Sequence, residues 1–187
     1  MLQRELHELC KADIASVRER LVKAVRPLDG GQLNERPEPV GWSIGEVLEH
    51  LCVSDGVYEP KMKQLILTAR RDAAAPNREW KPSFLGGLIT RGLQGTRKVR
   101  TFKVFEPGAT PRGGVLEAFL AMQQSVLTMM NDAETVDWNK VRIASAVMPW
   151  FAPKMNLGDA FRIHAVHAVR HTAQVERLAG RLSGNRP

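Results

Sequence analysis

Cysteine is scarce in this 187-residue chain: only Cys10 and Cys52 occur, far apart and in no CxxC pair. Their spacing argues against a disulfide framework and a thiolate zinc site, and it predicts a reducing, cytoplasmic setting. Long apolar runs are missing as well. No stretch approaches the ~18 uninterrupted apolar residues that a membrane span needs. The opening stretch from Met1 to Arg20 is charged throughout and has no apolar h-region, so no secretory signal is expected. Internal repeats, low-complexity runs, helix-turn-helix patterns and zinc-finger spacings are also absent from the sequence.

What remains has the composition of an ordinary globular protein, with 43% hydrophobic and 25% charged residues. The length suits a single domain over residues 1–183, with a short tail at 184–187. The net charge is +7. Residues 70–112 alone hold ten Lys/Arg against three acids (Asp72, Glu79, Glu106), so that one segment carries the whole excess. Such a patch attracts anions.

Periodicity predicts helices. Leu2, Leu6, Leu9, Val17, Leu21 and Ala24 form one stripe over about Leu2 to Val25, stopped by Pro27, Gly30 and Gly31. A second helix starts at Ser43, with Glu46 completing an S-x-x-E capping box. Its stripe runs through Val47, Leu51, Tyr58, Met62 and Ile66 towards Ala75, and Pro60 predicts a kink or break. Residues 76–113 lack a period, although Phe84 to Gly92 could be helical and Thr101 to Phe105 extended. So long a connection fits a crossover between parallel second and third helices. The third helix covers about Val115 to Met130. The fourth covers Leu157 to Leu182, capped by Asn156 with Asp159 in its first turn. The fold class is therefore all-α, a four-helix bundle with a long crossover between helices 2 and 3.

Three of the five histidines, His164, His167 and His171, fall on the core-facing stripe of the last helix; at 100° per residue His167 and His171 are about 40° apart and His164 is about 20° from His171. A bundle normally places Leu there. Spacing of i, i+4 lets His167 and His171 share one ion, and His50, at the edge of the second helix's stripe, is the natural third ligand. Three neutral nitrogens leave a fourth position open, the pattern of a catalytic zinc. An HxxxH pair alone is a weak signal, since a histidine on an apolar face is usually a satisfied core residue; three on inward faces strengthen it. His164 reads as a fourth ligand, an outer partner or a core residue. Ligation is the least favoured of the three, because three consecutive helical ligands would strain the geometry.

Two carboxylates are weaker candidates. Glu46, one turn before His50, either orients that ring or simply completes the capping box, the simpler reading. Asp13 falls in the first helix's stripe and either meets a ligand histidine or is solvated at the edge.

The stretch from Trp42 to Leu51, WSIGEVLEHL, resembles the second helix of the DinB-like superfamily, where a tryptophan and a capping serine precede a metal-binding histidine. His167 to Val175, HAVRHTAQV, resembles its H-x-x-x-H-x-x-Q signature, and TFKVFEPGATP over Thr101 to Pro111 resembles its connection before the third helix. The resemblance implies an up-down-down-up bundle, ligation by His50, His167 and His171, zinc or nickel, and a homodimer. It places Gln174 near the site. The family includes metal-dependent transferases and isomerases that use a low-molecular-weight thiol.

Two functions follow as expectations. One is a metal-dependent enzyme, a thiol S-transferase type or a hydrolase, with a small-molecule substrate whose carboxylates meet basic residues such as Arg91 and Arg97. The other is a non-catalytic metal-containing protein that docks an acidic partner on residues 70–112. The sparse aromatics among those basic residues do not favour nucleic acid.

Overall fold

The computed structural model describes residues 1–36, 41–95, 100–108, 113–147 and 154–184. The first helix, α1, spans Gln3–Val25. Its buried positions are Leu6, Cys10, Ile14, Val17, Leu21 and Val25, a strict i+3/i+4 series. Leu9 is exposed instead. The stripe thus passes through Cys10 and Ile14, which leaves Asp13 on its flank. After a one-turn helix α2 (Gly30–Asn34), α3 runs over Ile44–Thr68.

The capping box of α3 is formed. The Ser43 hydroxyl accepts from the Glu46 amide at 3.1 Å, and the Glu46 carboxylate accepts from the Ser43 amide at 2.8 Å. Every residue from Ile44 to Cys52 is buried, so this first half of α3 runs through the interior. The helix continues through Pro60 rather than breaking there. It ends at Thr68, earlier than its apolar period suggests. Beyond it, Arg71 bridges Val136 and the Asp72 amide donates to the Thr135 carbonyl, so tertiary pairing takes the backbone out of the helix.

The long connection contains helix α4, Phe84–Gln94, which packs on the last helix. Lys103–Phe105 is one 3-10 turn rather than extended chain. Helix α5 covers Val115–Asp132. A two-residue antiparallel pair, β1 (Arg142–Ile143) and β2 (Met155–Asn156), leads into α6, Leu157–Gly184. Asn156 and Asp159 cap α6 reciprocally, with bonds of 2.9 and 2.8 Å.

The four long helices form a mostly helical bundle in which α1 packs on α6 and α5, and α3 packs on α5 and α6. Gly56 faces Met122 and Glu59 reaches Ser125, so numbering rises together along α3 and α5. Between α3 and α6 it runs oppositely, since His50 meets His167 and Asp55 meets His164. Two apolar clusters result. One gathers around Trp138, Phe161 and Met130, and the other around Leu48, Phe119 and Val175. Among the described residues no helix is long and apolar enough to cross a membrane.

Two glycines allow α4 and its flank to lie close to α6. A Cβ on Gly86 would collide with the Asp159 carboxylate, and one on Gly158 with the Trp80 indole. Trp80 then donates to the Asn156 side chain at 3.0 Å, fixing the start of α6.

Candidate metal centre

The opposed senses of α3 and α6 bring His50 against the two histidines of the last helix. Ring centroids of His50 lie 4.9 Å from those of both His167 and His171, and the latter two are 4.6 Å apart. One nitrogen from each of the three lies within 4.8 Å of the others. His50 is buried; His167 and His171 are half-buried.

Hydrogen bonds decide which nitrogens face inward. His50 Nδ1 lies 2.6 Å from the Phe105 carbonyl, which can only accept, so Nδ1 carries the proton and Nε2 keeps its lone pair. His171 Nδ1 donates to Gln174 Oε1 at 2.9 Å, with the same result. Across the cluster His50 Nε2 is 3.1 Å from His167 Nε2. Two ligand nitrogens on one tetrahedral zinc stand roughly 3.3 Å apart, from bonds of about 2.0–2.1 Å.

Electrostatics point the same way. Burial lowers the pKa of all three rings. His171 falls to about 3, through desolvation first and then the His50 charge. His167 lies well below its ordinary value, through desolvation and then repulsion by His171 and His50. His50 is lowered by desolvation, only partly offset by the Phe105 carbonyl. A proton shared among these rings is therefore disfavoured, while neutral lone pairs converge on one point. The donor set fits a borderline divalent ion.

The other candidates fall elsewhere. Glu46 is bound by Arg36 and by the Ser43 amide. Burial alone would raise its carboxyl, but Arg36 and Ser43 together hold it below its usual range. It caps α3, and the groups beside His50 Nδ1 are the Phe105 carbonyl at 2.6 Å and the Ser54 hydroxyl at 3.5 Å. Asp13 pairs with Arg162 rather than with a ligand histidine. Gln174 holds His171. Arg91 is exposed at the end of α4 and is not among the described residues lining the cavity beside the site. Arg97 lies outside the described residues.

His164 is buried one turn before His167. Its Nδ1 is 2.8 Å from Asp55 Oδ1 and its Nε2 is 3.1 Å from Gln123 Oε1. Both ring nitrogens are thus engaged, which removes it from the ligand set. Trp42 packs on the His50 ring at a centroid distance of 4.8 Å. Sequence reasoning missed the Phe105 carbonyl, because a main-chain group has no residue signature. The His7 ring is tilted against Trp138 at a centroid distance of 6.0 Å.

The cluster opens on a cavity of about 1260 Å³ between α3, α4, α5 and α6. Towards the C-terminal half of α6 its wall includes Trp42, Arg36, Arg177 and Arg181. Towards the start of α6 it is mostly apolar.

A helical bundle with three imidazoles converging from facing helices defines a class of bundle proteins that could hold a metal ion. Residues 13–175 match the model of the DinB superfamily, and the chain belongs to that family. Among solved structures it is similar to YfiT from Bacillus subtilis, described as a probable metal-dependent hydrolase with an unusual four-helix bundle topology. That likeness has a TM-score of 0.60 at 16% identity, covering 98% of this chain and 91% of that one, and it bears on the fold. No curated protein matches the chain.

Proposed function

We propose that this protein is a metal-dependent enzyme of the low-molecular-weight-thiol S-transferase type, with His50, His167 and His171 holding one zinc or nickel ion. A divalent ion on three neutral imidazoles, with one position open, supplies the positive charge that makes a thiol acidic at neutral pH. The protein's own groups do the rest. The Phe105 carbonyl and Gln174 fix two of the rings. Arg177, on α6 at the cavity wall, offers a cation to a carboxylate of a thiol.

The observation that carries this reading is the cavity joined to the histidines. At about 1260 Å³ it exceeds the roughly 300–1,000 Å³ of ordinary small-molecule sites. Its two ends differ in chemistry, one with arginines and one apolar. Two substrates, a charged thiol and a less polar acceptor, fill such a space better than one.

A second reading is a hydrolase, supported by the description of YfiT. Of the carboxylates near the site, Glu46, Asp13 and Glu59 are paired with Arg36, Arg162 and Lys63, while Asp55 bonds His164 through Oδ1 and keeps a buried, unpartnered Oδ2 at the cavity wall, the one candidate base among these four. The transferase is preferred on the two unlike ends of the cavity. Docking of an acidic macromolecule on residues 70–112 is less favoured, since Arg78 and Lys81 pair with Asp72, Asp137 and Glu79. A homodimer and a small-molecule substrate complete the proposal.

The test is consumption of a thiol together with an electrophile by zinc- or nickel-loaded protein, beside His167→Ala. Turnover should require both co-substrates and disappear in the variant. Equal turnover in the variant excludes metal-thiol chemistry, and product formation without thiol favours the hydrolase.

A further inference from the structure

One end of the cavity is not used by the histidine chemistry. Its apolar wall is made by Met62 from α3, Val126 and Met129 from α5, Met155 from β2, and Ala160 and Ile163 from α6, with Asp55, Tyr58, Glu59 and His164 lining the same cavity beside them. The six apolar residues belong to, or pack against, a single apolar cluster. None of the six offers a strong hydrogen-bonding group, so ordered water has little to hold it along that wall. Three are methionines, whose unbranched, polarizable side chains adapt to apolar ligands of varied shape.

The chamber begins beside the histidine cluster. Ile163 precedes His167 by one helical turn, and Ala160 precedes it by two. Seven residues of α6 correspond to about 10 Å. The polar residues at the junction are held by hydrogen bonds to one another, with Asp55 Oδ2 and Gln123 Nε2 the atoms left unpartnered there. His164 is held by Asp55 and Gln123, and the Tyr58 hydroxyl accepts from the Ala146 amide at 3.1 Å. These bonds fix the wall and leave its apolar surface facing the space.

We infer that this chamber is a subsite for an extended apolar group, an alkyl or aryl chain of about eight carbons for ~10 Å of depth, on the acceptor substrate. The assignment to an acceptor rests on the transferase reading, while the binding itself rests on the chamber alone. The reacting end of the acceptor then lies at the open side of the histidines and its chain runs towards Ala160. The arginine end is left to the charged co-substrate.

Calorimetric titration of the whole chain with straight-chain primary alcohols from butanol to decanol tests the chamber without engaging the arginines. Affinity should rise about fourfold per methylene, then level off once the chain fills the chamber. Ala160→Phe should abolish the rise by filling the space. Ile163→Trp serves as the second block should the first variant lack a cooperative melt. His167→Ala should keep the rise while losing metal and turnover, so failure of the chamber and failure of the metal reading give different results. Binding that ignores chain length in the wild type overturns the inference, as does an undiminished rise in a folded blocking variant.

Discussion

The Nδ1 atom of His50 lies 2.6 Å from the main-chain oxygen of Phe105, fifty-five positions away. One carbonyl from the long connection thereby sets the tautomer of a ring on α3 and turns its other nitrogen towards α6. Gln174 does the same for His171 from within its own helix. Outer partners of this kind govern how well a metal site binds.

Removing any of the three imidazoles should empty the site. His50→Ala, His167→Ala and His171→Ala are each expected to lower metal affinity by more than about 100-fold, beyond the effect of losing an outer partner. Elemental analysis of purified protein reads this directly. Wild type should hold one ion per chain and the variants close to none, and stoichiometric metal in His50→Ala would contradict the shared site.

Gln174→Ala should weaken the metal without removing a ligand. Affinity is expected to fall about 10- to 100-fold, because His171 loses the acceptor that fixes its ring. Competition with a chromophoric chelator measures it, and circular dichroism should show α6 intact.

The metal-free protein should lose stability in acid. His171 titrates at about 3 in the folded chain against an ordinary 6.5, and His50 and His167 are also lowered. Between those values the unfolded chain binds more protons than the folded one, so stability rises with pH. The contribution is fully present above 6.5 and is lost as pH falls from there towards 3. Urea midpoints of chelator-treated protein should therefore drop between neutral pH and about pH 5, and a flat profile would count against buried neutral rings.

Glu46→Gln separates capping from chemistry. The carboxylate holds the Ser43 amide and Arg36, and the partners of His50 Nδ1 are the Phe105 carbonyl and the Ser54 hydroxyl. Stability should fall by about 1 kcal/mol, the usual scale of a lost cap. Metal content should stay unchanged. A large loss of metal would assign Glu46 to the site after all.

Gly86→Ala should destabilise by about 1–3 kcal/mol, since the new methyl meets the Asp159 carboxylate where α4 lies on α6. The urea midpoint checks it, and an unchanged midpoint would show that α4 can move away freely.

Much of the site was legible because helical spacing is a local property. A 3.6-residue period places His167 and His171 on one face whatever surrounds them, and Ser43 with Glu46 marks the start of α3 by chemistry within one turn. For Asp13 the same logic left two readings open, a ligand histidine's partner or an edge position, and the structure places it at the edge. One of the expected stripe positions, Leu9, is exposed, and the buried series through Cys10 and Ile14 leaves the carboxylate on the flank, facing Arg162. Pro60 was a local warning that the packed helix did not heed.

The chain by itself determined the helices, their caps and the imidazoles on their inward faces, because those depend on neighbours within a few residues. Tertiary structure alone decided that position 50 meets 167 and 171, that a distant carbonyl orients the first ring, and that a chamber opens beside them. Such relations arise only when separate helices pack and bury polar groups that must then find partners, and no short-range pattern encodes which partner lies across the gap.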